Sequence, residues 1–392
     1  MASTRRARQW IINGALVGAS LLVFIGLAEI TLRVVGFADP VFWTYDDVTG
    51  SRLYPGAAGW YQSEGEAYVT ISSAGLRDRE HAVPKPPGTL RVAVLGDSMA
   101  EALQVPLESN FSSLLERTLK ACKAFAGRDV EVMNFGVSGY GTAQELLMFR
   151  HRVRAYSPDI TILAFYAGND VRNNSRELEP NKLRPFYVLQ AGQLVLDDSF
   201  RSDPEYQSFK STFELRSNFF GLRVFQFARR IKNIVEQRRE IATTGARGVT
   251  SEPGADDQVF VSPATAVWKD AWEITERLIV MLRDEVVAAG GRLLVLSIPI
   301  AVEAYPDPGA RMQFMKRLGV PDLWYPEKRL QQFAERENLD VITLGERFQS
   351  YADRDRTYLY GFPNTHLGSG HLNENGHKLV AEALAQHLCP VP

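Results

Sequence analysis

Four short polar clusters, far apart along the chain, hold residue types that together could carry out acyl chemistry. They are Gly96-Asp97-Ser98, Asn134-Phe135-Gly136, Gly168-Asn169-Asp170, and His371 followed by Asn373 and Gly376. A serine hydroxyl is a weak nucleophile until a neighbouring base takes its proton, and a carbonyl under attack needs hydrogen-bond donors aimed at the developing oxyanion. Ser98 can supply the nucleophile and a backbone N–H, Gly136 a second N–H with no side chain in the way, and the Asn169 amide a third. His371 is the candidate base. Taken singly, these residues have plainer readings as a helix-capping serine and as turn residues. Asp97 and Asp170 read as loop-stabilising acceptors, and His377 as a surface or packing residue. His366, His371 and His377 are too irregularly spaced for a shared ion, so no metal is expected.

The elements that must position these residues follow from hydrophobic rhythm. From Leu90 onward, short apolar β-branched runs alternate with longer amphipathic ones. The pattern predicts strands at 91–95, 130–135, 160–166, 293–298 and 341–344, and helices near 107–124, 142–156, 265–289, 325–338 and 374–388. Such alternation indicates crossover helices and a five-stranded parallel sheet, a doubly wound, flavodoxin-like α/β fold whose ligands bind outside the carboxyl ends of the strands. In the strand order 2-1-3-4-5, the switch point lies between the first and third strands, so Ser98 and Asn169 would flank the crevice. His371 falls just before the last helix, whose apolar Leu379, Val380, Ala383, Leu384 and Leu388 recur at helical spacing.

In order and residue type, the four clusters resemble the blocks of the SGNH/GDSL hydrolases, over roughly residues 90–389 with an insertion at about 171–263. The resemblance implies a three-layer α/β/α body that cleaves O-acyl esters through an acyl-serine intermediate without a cofactor. It assigns Ser98 as nucleophile, Gly136 and Asn169 to the oxyanion hole, and His371 as general base and acid. Substrates would be acylated, from lipids to acetylated glycans, with the extracytoplasmic setting tilting toward carbohydrate. Two departures stand out. Family members often carry an acid three residues before the histidine, where this chain has Gly368, and Gly168 directly precedes Asn169 without the usual one-residue spacing. The group that orients His371 is therefore open between a backbone carbonyl and a carboxylate from elsewhere, such as Asp353 or Asp355. Glu374 is better placed to serve the start of its own helix. A sugar hydroxyl in place of water would make the same site an O-acyltransferase acting on a surface or exported polysaccharide. A non-catalytic glycan-binding or export-complex protein on the same fold is the reading of another class.

The amino terminus points to a membrane. Arg5, Arg6 and Arg8 precede an uncharged run from Trp10 to Ala28, close to the length a spanning helix needs. Positive charge before the run predicts that this end stays in the cytoplasm with the body on the extracytoplasmic, periplasmic side, and a run longer than the roughly 7–15 residues of a signal h-region predicts an uncleaved anchor, with residues 1–33 as cytoplasmic tip and transmembrane helix. A cleaved signal peptide is the rival, with Gly26 and Ala28 supplying small residues. Residues 34–89 read as an extended lead-in packing on the body, and 90–392 as the catalytic body. Across all 392 residues the net charge is −2, so no global field would gather nucleic acid. Cys122 and Cys389 permit one disulfide, with two unrelated thiols as the alternative. Within the insertion, Phe220, Val224, Phe227, Ile231 and Ile234 recur at helical steps among Arg216, Arg223, Arg229, Arg230, Lys232, Arg238 and Arg239. The expectation is a helix packed on the body with a solvated basic face. Contact with lipid headgroups or an anionic polymer is the alternative. Residues 243–257 read as a flexible connection.

Overall fold

The computed structural model describes residues 2–244 and 256–389, so most of the 243–257 connection lies outside the described residues. The chain opens with helix α1 (Ala2–Val34), followed by two antiparallel hairpins, β1 (Trp43–Asp46) with β2 (Gly50–Leu53) and β3 (Ala58–Tyr61) with β4 (Ala67–Thr70). The body then alternates: β5 (Thr89–Gly96), the single turn α2 (Ser98–Glu101), α3 (Phe111–Lys120), β6 (Asp129–Asn134), α4 (Thr142–His151) and β7 (Ile160–Tyr166). The insertion contributes α5 (Asp170–Asn173), a hairpin of β8 (Phe186–Gln190) and β9 (Gln193–Asp197), α6 (Pro204–Ser217) and α7 (Arg223–Thr244). The body resumes with α8 (Ala266–Ala288), β10 (Arg292–Ile298), α9 (Pro308–Leu318), α10 (Tyr325–Glu337), β11 (Asp340–Thr343), α11 (Gly345–Asp355) and α12 (Glu374–Leu388).

The five body strands form one parallel sheet ordered β11-β10-β7-β5-β6, which is the expected 2-1-3-4-5 arrangement read from the other edge. Every residue of β5 and β7 is buried, as central strands covered on both faces require. Helix α3 packs with α12, and α4 with α8. All five strands start and end within about two residues of their sequence expectation. The helix expected over 107–124 is shorter, because Asn110 stops a preceding turn and caps α3 by accepting the Ser112 N–H at 2.8 Å. Helices α9 and α11 had no counterpart in the sequence reading. A disulfide joins Cys122 to Cys389 across 267 residues, with 6.1 Å between the two Cα atoms. It ties the end of α3 to the end of α12.

The lead-in has its own small core, with Phe42, Leu53, Ala67, Val69 and Ile71 packed around Leu103 of the body. The lead-in thus packs on the body through this cluster. In α1, the stretch Arg8–Val34 is apolar and long enough to cross a membrane, and none of it is buried against the body.

Candidate active site

Strand β5 ends at Gly96, and the chain turns at once into α2, so Asp97 and Ser98 stand at the carboxyl edge of the sheet. Asp97 caps this turn, accepting the Met99 N–H at 2.9 Å, and its other oxygen accepts from the Asn169 amide at 2.8 Å. Burial pushes the Asp97 carboxyl above its ordinary value, against the pull of those two bonds. Asp97 thus lashes the first cluster to the third. An amide carries two N–H bonds, so one of Asn169's is spent on Asp97 and the other remains for a ligand. Asp170 accepts the Tyr166 N–H at 2.8 Å and is buried, the loop-stabilising role its position suggested. Gly168 must be glycine, since a Cβ there would come within 2.6 Å of the Tyr166 ring.

Ser98, Asn169 and His371 line one cavity of about 320 Å3, with Gly139, Arg172 and Asn181 among the other wall residues. Three of the four expected site residues therefore meet there. Gly136 does not. Its N–H is donated to Asn134 Oδ1 at 2.9 Å, and a Cβ on it would lie 2.5 Å from the Glu101 nitrogen of α2. The glycine is needed for close packing behind the serine turn, and its donor is already used. Three residues on, Gly139 has φ of +77° and lines the cavity, a conformation that favours glycine. Of these two glycines, it is Gly139 and not Gly136 that lines the cavity.

The orienting carboxylate is Glu64, which the sequence reading did not include. One oxygen of Glu64 lies against His371 Nδ1, and the other accepts the His371 backbone N–H at 2.8 Å. Glu64 sits in the turn between β3 and β4. Asn364 clamps that turn to the loop before α12, accepting the Gly65 N–H and donating to the Gly65 carbonyl, each at 2.9 Å. Gly370, at φ +88°, leaves room for the carboxylate, because any Cβ there would strike Glu64. The proposed alternatives are engaged elsewhere: Asp353 with Arg311 at 2.8 Å and Asp355 with Arg354 at 2.9 Å. No local motif marks Glu64, which lies 307 residues from its partner. The vacancy at Gly368 was the only hint that an acid had to come from elsewhere.

The other two histidines of this region are apart from the cavity. His377 is buried in α12 and stacked on Phe111 with ring centroids 5.8 Å apart, and burial lowers it to about 3. His366 is exposed. Among the described residues, no group of three or more His, Cys, Asp or Glu side chains is arranged to hold a metal ion.

No family model matches the chain. A curated arylesterase from Vibrio mimicus is 27% identical over 118 residues, which is 30% of this chain. The match spans 57% of that relative's length. In block order and sheet order the chain is similar to the SGNH/GDSL hydrolases. Solved structures that overlap it include the acetyl xylan esterase AlAXEase, at 14% identity and a TM-score of 0.39, covering 76% of this chain and all of that one. A catalytic mutant of Axe2, an acetylxylan esterase from Geobacillus stearothermophilus, gives 12% identity and a TM-score of 0.39 over 77% and 95% of the two chains. Overlaps at that level say nothing of substrate. The SGNH/GDSL likeness instead rests on the ordered clusters at the strand ends.

Proposed function

We propose that the chain is a serine ester hydrolase in which Ser98, His371 and Glu64 act in sequence. The observation that carries this reading is His371, held by Glu64 at Nδ1, lining the same cavity as Ser98 and Asn169. A carboxylate on Nδ1 fixes the imidazole tautomer so that Nε2 is the basic nitrogen, and stabilises the imidazolium that follows. His371 takes the Ser98 proton as the oxygen attacks the acyl carbonyl. The oxyanion is met by the Ser98 N–H, the Gly139 N–H and the remaining N–H of the Asn169 amide. His371 then returns the proton to the departing alcohol, and water repeats the cycle to release the acid. If a sugar hydroxyl takes the place of water, the outcome is acyl transfer. The vacant acid position that favoured a non-catalytic binding protein is taken by Glu64.

The reading extends to substrate and place. The cavity wall is mostly polar, with Arg172, Asn173 and Asn181 beside the reacting groups, which suits a short acyl ester on a carbohydrate better than a long lipid chain. Residues of about 10–28 anchor the chain, with the body outside the cytoplasm. The Cys122–Cys389 disulfide supports an oxidising compartment, and Arg5, Arg6 and Arg8 ahead of the apolar run support the same orientation.

Labelling by a serine-directed fluorophosphonate tests the chemistry, with strong labelling of wild type and none of Ser98→Ala expected. Equal labelling of both would defeat the hydrolase reading. Supplying an acetyl ester with and without a sugar acceptor, and following free acetate against acetylated sugar, separates hydrolysis from transfer.

A further inference from the structure

Helix α7 is amphipathic in the opposite sense to the sequence expectation. Its basic side turns inward: Arg229 donates to the Pro40 carbonyl at 2.8 Å and to Asp39 Oδ2 at 3.0 Å, and Arg230 donates to Gln62 Oε1 at 2.9 Å. Buried Gln226 accepts the Asp39 N–H at 2.9 Å. The apolar side faces out, leaving Phe227 44% and Ile231 48% exposed. At the elbow between α6 and α7 the exposure continues, with Leu215 at 68%, Phe219 at 48% and Leu222 at 43%. A soluble protein seldom leaves so many large apolar side chains together in water.

The position of this patch says what covers it. The start of α7 is fastened to the last turns of α1. The Val224 N–H donates to Glu29 Oε2 at 2.9 Å, Arg33 donates to the Gly221 carbonyl at 3.0 Å, and Phe37 meets Phe227 edge-on at 5.6 Å. The elbow therefore stands beside the carboxyl end of the one described helix long and apolar enough to span a bilayer, and that helix is itself unburied. Glu29 is a carboxylate in the closing turns of an apolar helix, a costly place for a charge unless it is paired. Here it pairs with Arg33 at 2.7 Å and caps the start of α7.

We propose that the elbow at 215–222 is a membrane foot. It enters the interfacial layer of the same bilayer that holds α1, with Leu215, Phe219 and Leu222 at the acyl boundary and Arg216 near lipid phosphates. The foot rests on the anchor reading of α1 but not on the catalytic one. It would leave the body standing at a defined height on two supports rather than swinging from a single helix.

The test uses the full chain in phosphatidylcholine vesicles, with an environment-sensitive fluorophore on one introduced cysteine while Cys122 and Cys389 remain bonded. Positions are Leu215→Cys, Phe219→Cys and Leu222→Cys, with Leu21→Cys reporting α1 and Arg336→Cys reporting water. An unchanged circular dichroism spectrum and melting temperature of each variant check the fold. The foot requires blue-shifted emission at the three elbow positions and quenching by spin-labelled lipid severalfold above that at Arg336→Cys. Elbow labels that behave like Arg336→Cys while Leu21→Cys is quenched by lipid overturn the foot and leave the anchor standing. Elbow labels shielded from both lipid and aqueous quenchers assign the patch to a second copy of the chain and also overturn it. An unquenched Leu21→Cys removes the anchor, and the foot with it.

Discussion

Two histidines six residues apart at one end of the chain live in opposite surroundings. His371 belongs to the loop before α12, lines the cavity, and has a carboxylate from the lead-in on Nδ1. His377 is inside α12, sealed against Phe111 and held neutral by burial. The loop is shaped by polar partners that come from far away, whereas the helix is shaped by apolar packing on α3. Residue type therefore says little here, and the neighbours decide whether an imidazole moves protons or fills space.

The widest separation between the two regions should come from activity. His371→Ala is expected to lower kcat for a model acetyl ester by about 10^2–10^4-fold with an unchanged melting temperature, whereas His377→Ala should lower the melting temperature and leave turnover per folded molecule near wild type. A loss of turnover confined to His377→Ala would reverse the comparison. Glu64→Gln should cost about 10^2-fold or more in kcat with KM little changed, since it removes the charge that supports the imidazolium while keeping the shape. If Asp355→Asn produced that loss instead, the orienting group would be misassigned.

The remaining tests load the helix side. Replacing Cys122 and Cys389 together with serine should destabilise the chain by about 2–5 kcal/mol in chemical denaturation, because their bond closes a very long loop. Ester turnover of the folded protein should persist. For His377, the folded value near 3 lies below the ordinary 6.5, so between these the unfolded chain binds a proton that the folded chain refuses. Stability contributed by the neutral ring is thus full above pH 6.5 and falls as the pH drops, by up to about 1.4 kcal/mol per pH unit. His377→Leu should flatten that part of the stability curve, and an identical slope in both proteins would defeat the assignment. The smallest effect is expected from Asp355→Asn, whose melting temperature should match that of wild type, because its partner Arg354 is exposed and surface pairs contribute little.

Much of this was legible in the chain itself. A buried parallel strand must be a short, nearly unbroken apolar run, so all five strands could be read; their order came with the doubly wound layout, and with it the edge that carries Ser98 and Asn169. The helix of the insertion was readable as amphipathic, but which side faced the body was not, because periodicity gives a stripe and not its partner. The stripe proved to point outward, next to α1.

What the sequence determined by itself was local chemistry and layering: serine after the first strand, asparagine after the third, histidine before the last helix, and an apolar segment of membrane length ahead of them. What only the tertiary structure decided was contact between segments with no shared local pattern. Gly136 and Gly139 are equivalent to the eye, yet the first has spent its N–H on Asn134 behind α2 and the second faces the cavity. Glu64 reaches His371 only because the lead-in packs as its own small core on the body and Asn364 clamps its turn. Hydrophobic pattern acts along the chain within a few residues, whereas a hydrogen bond across about three hundred residues depends on where two packed layers come to rest.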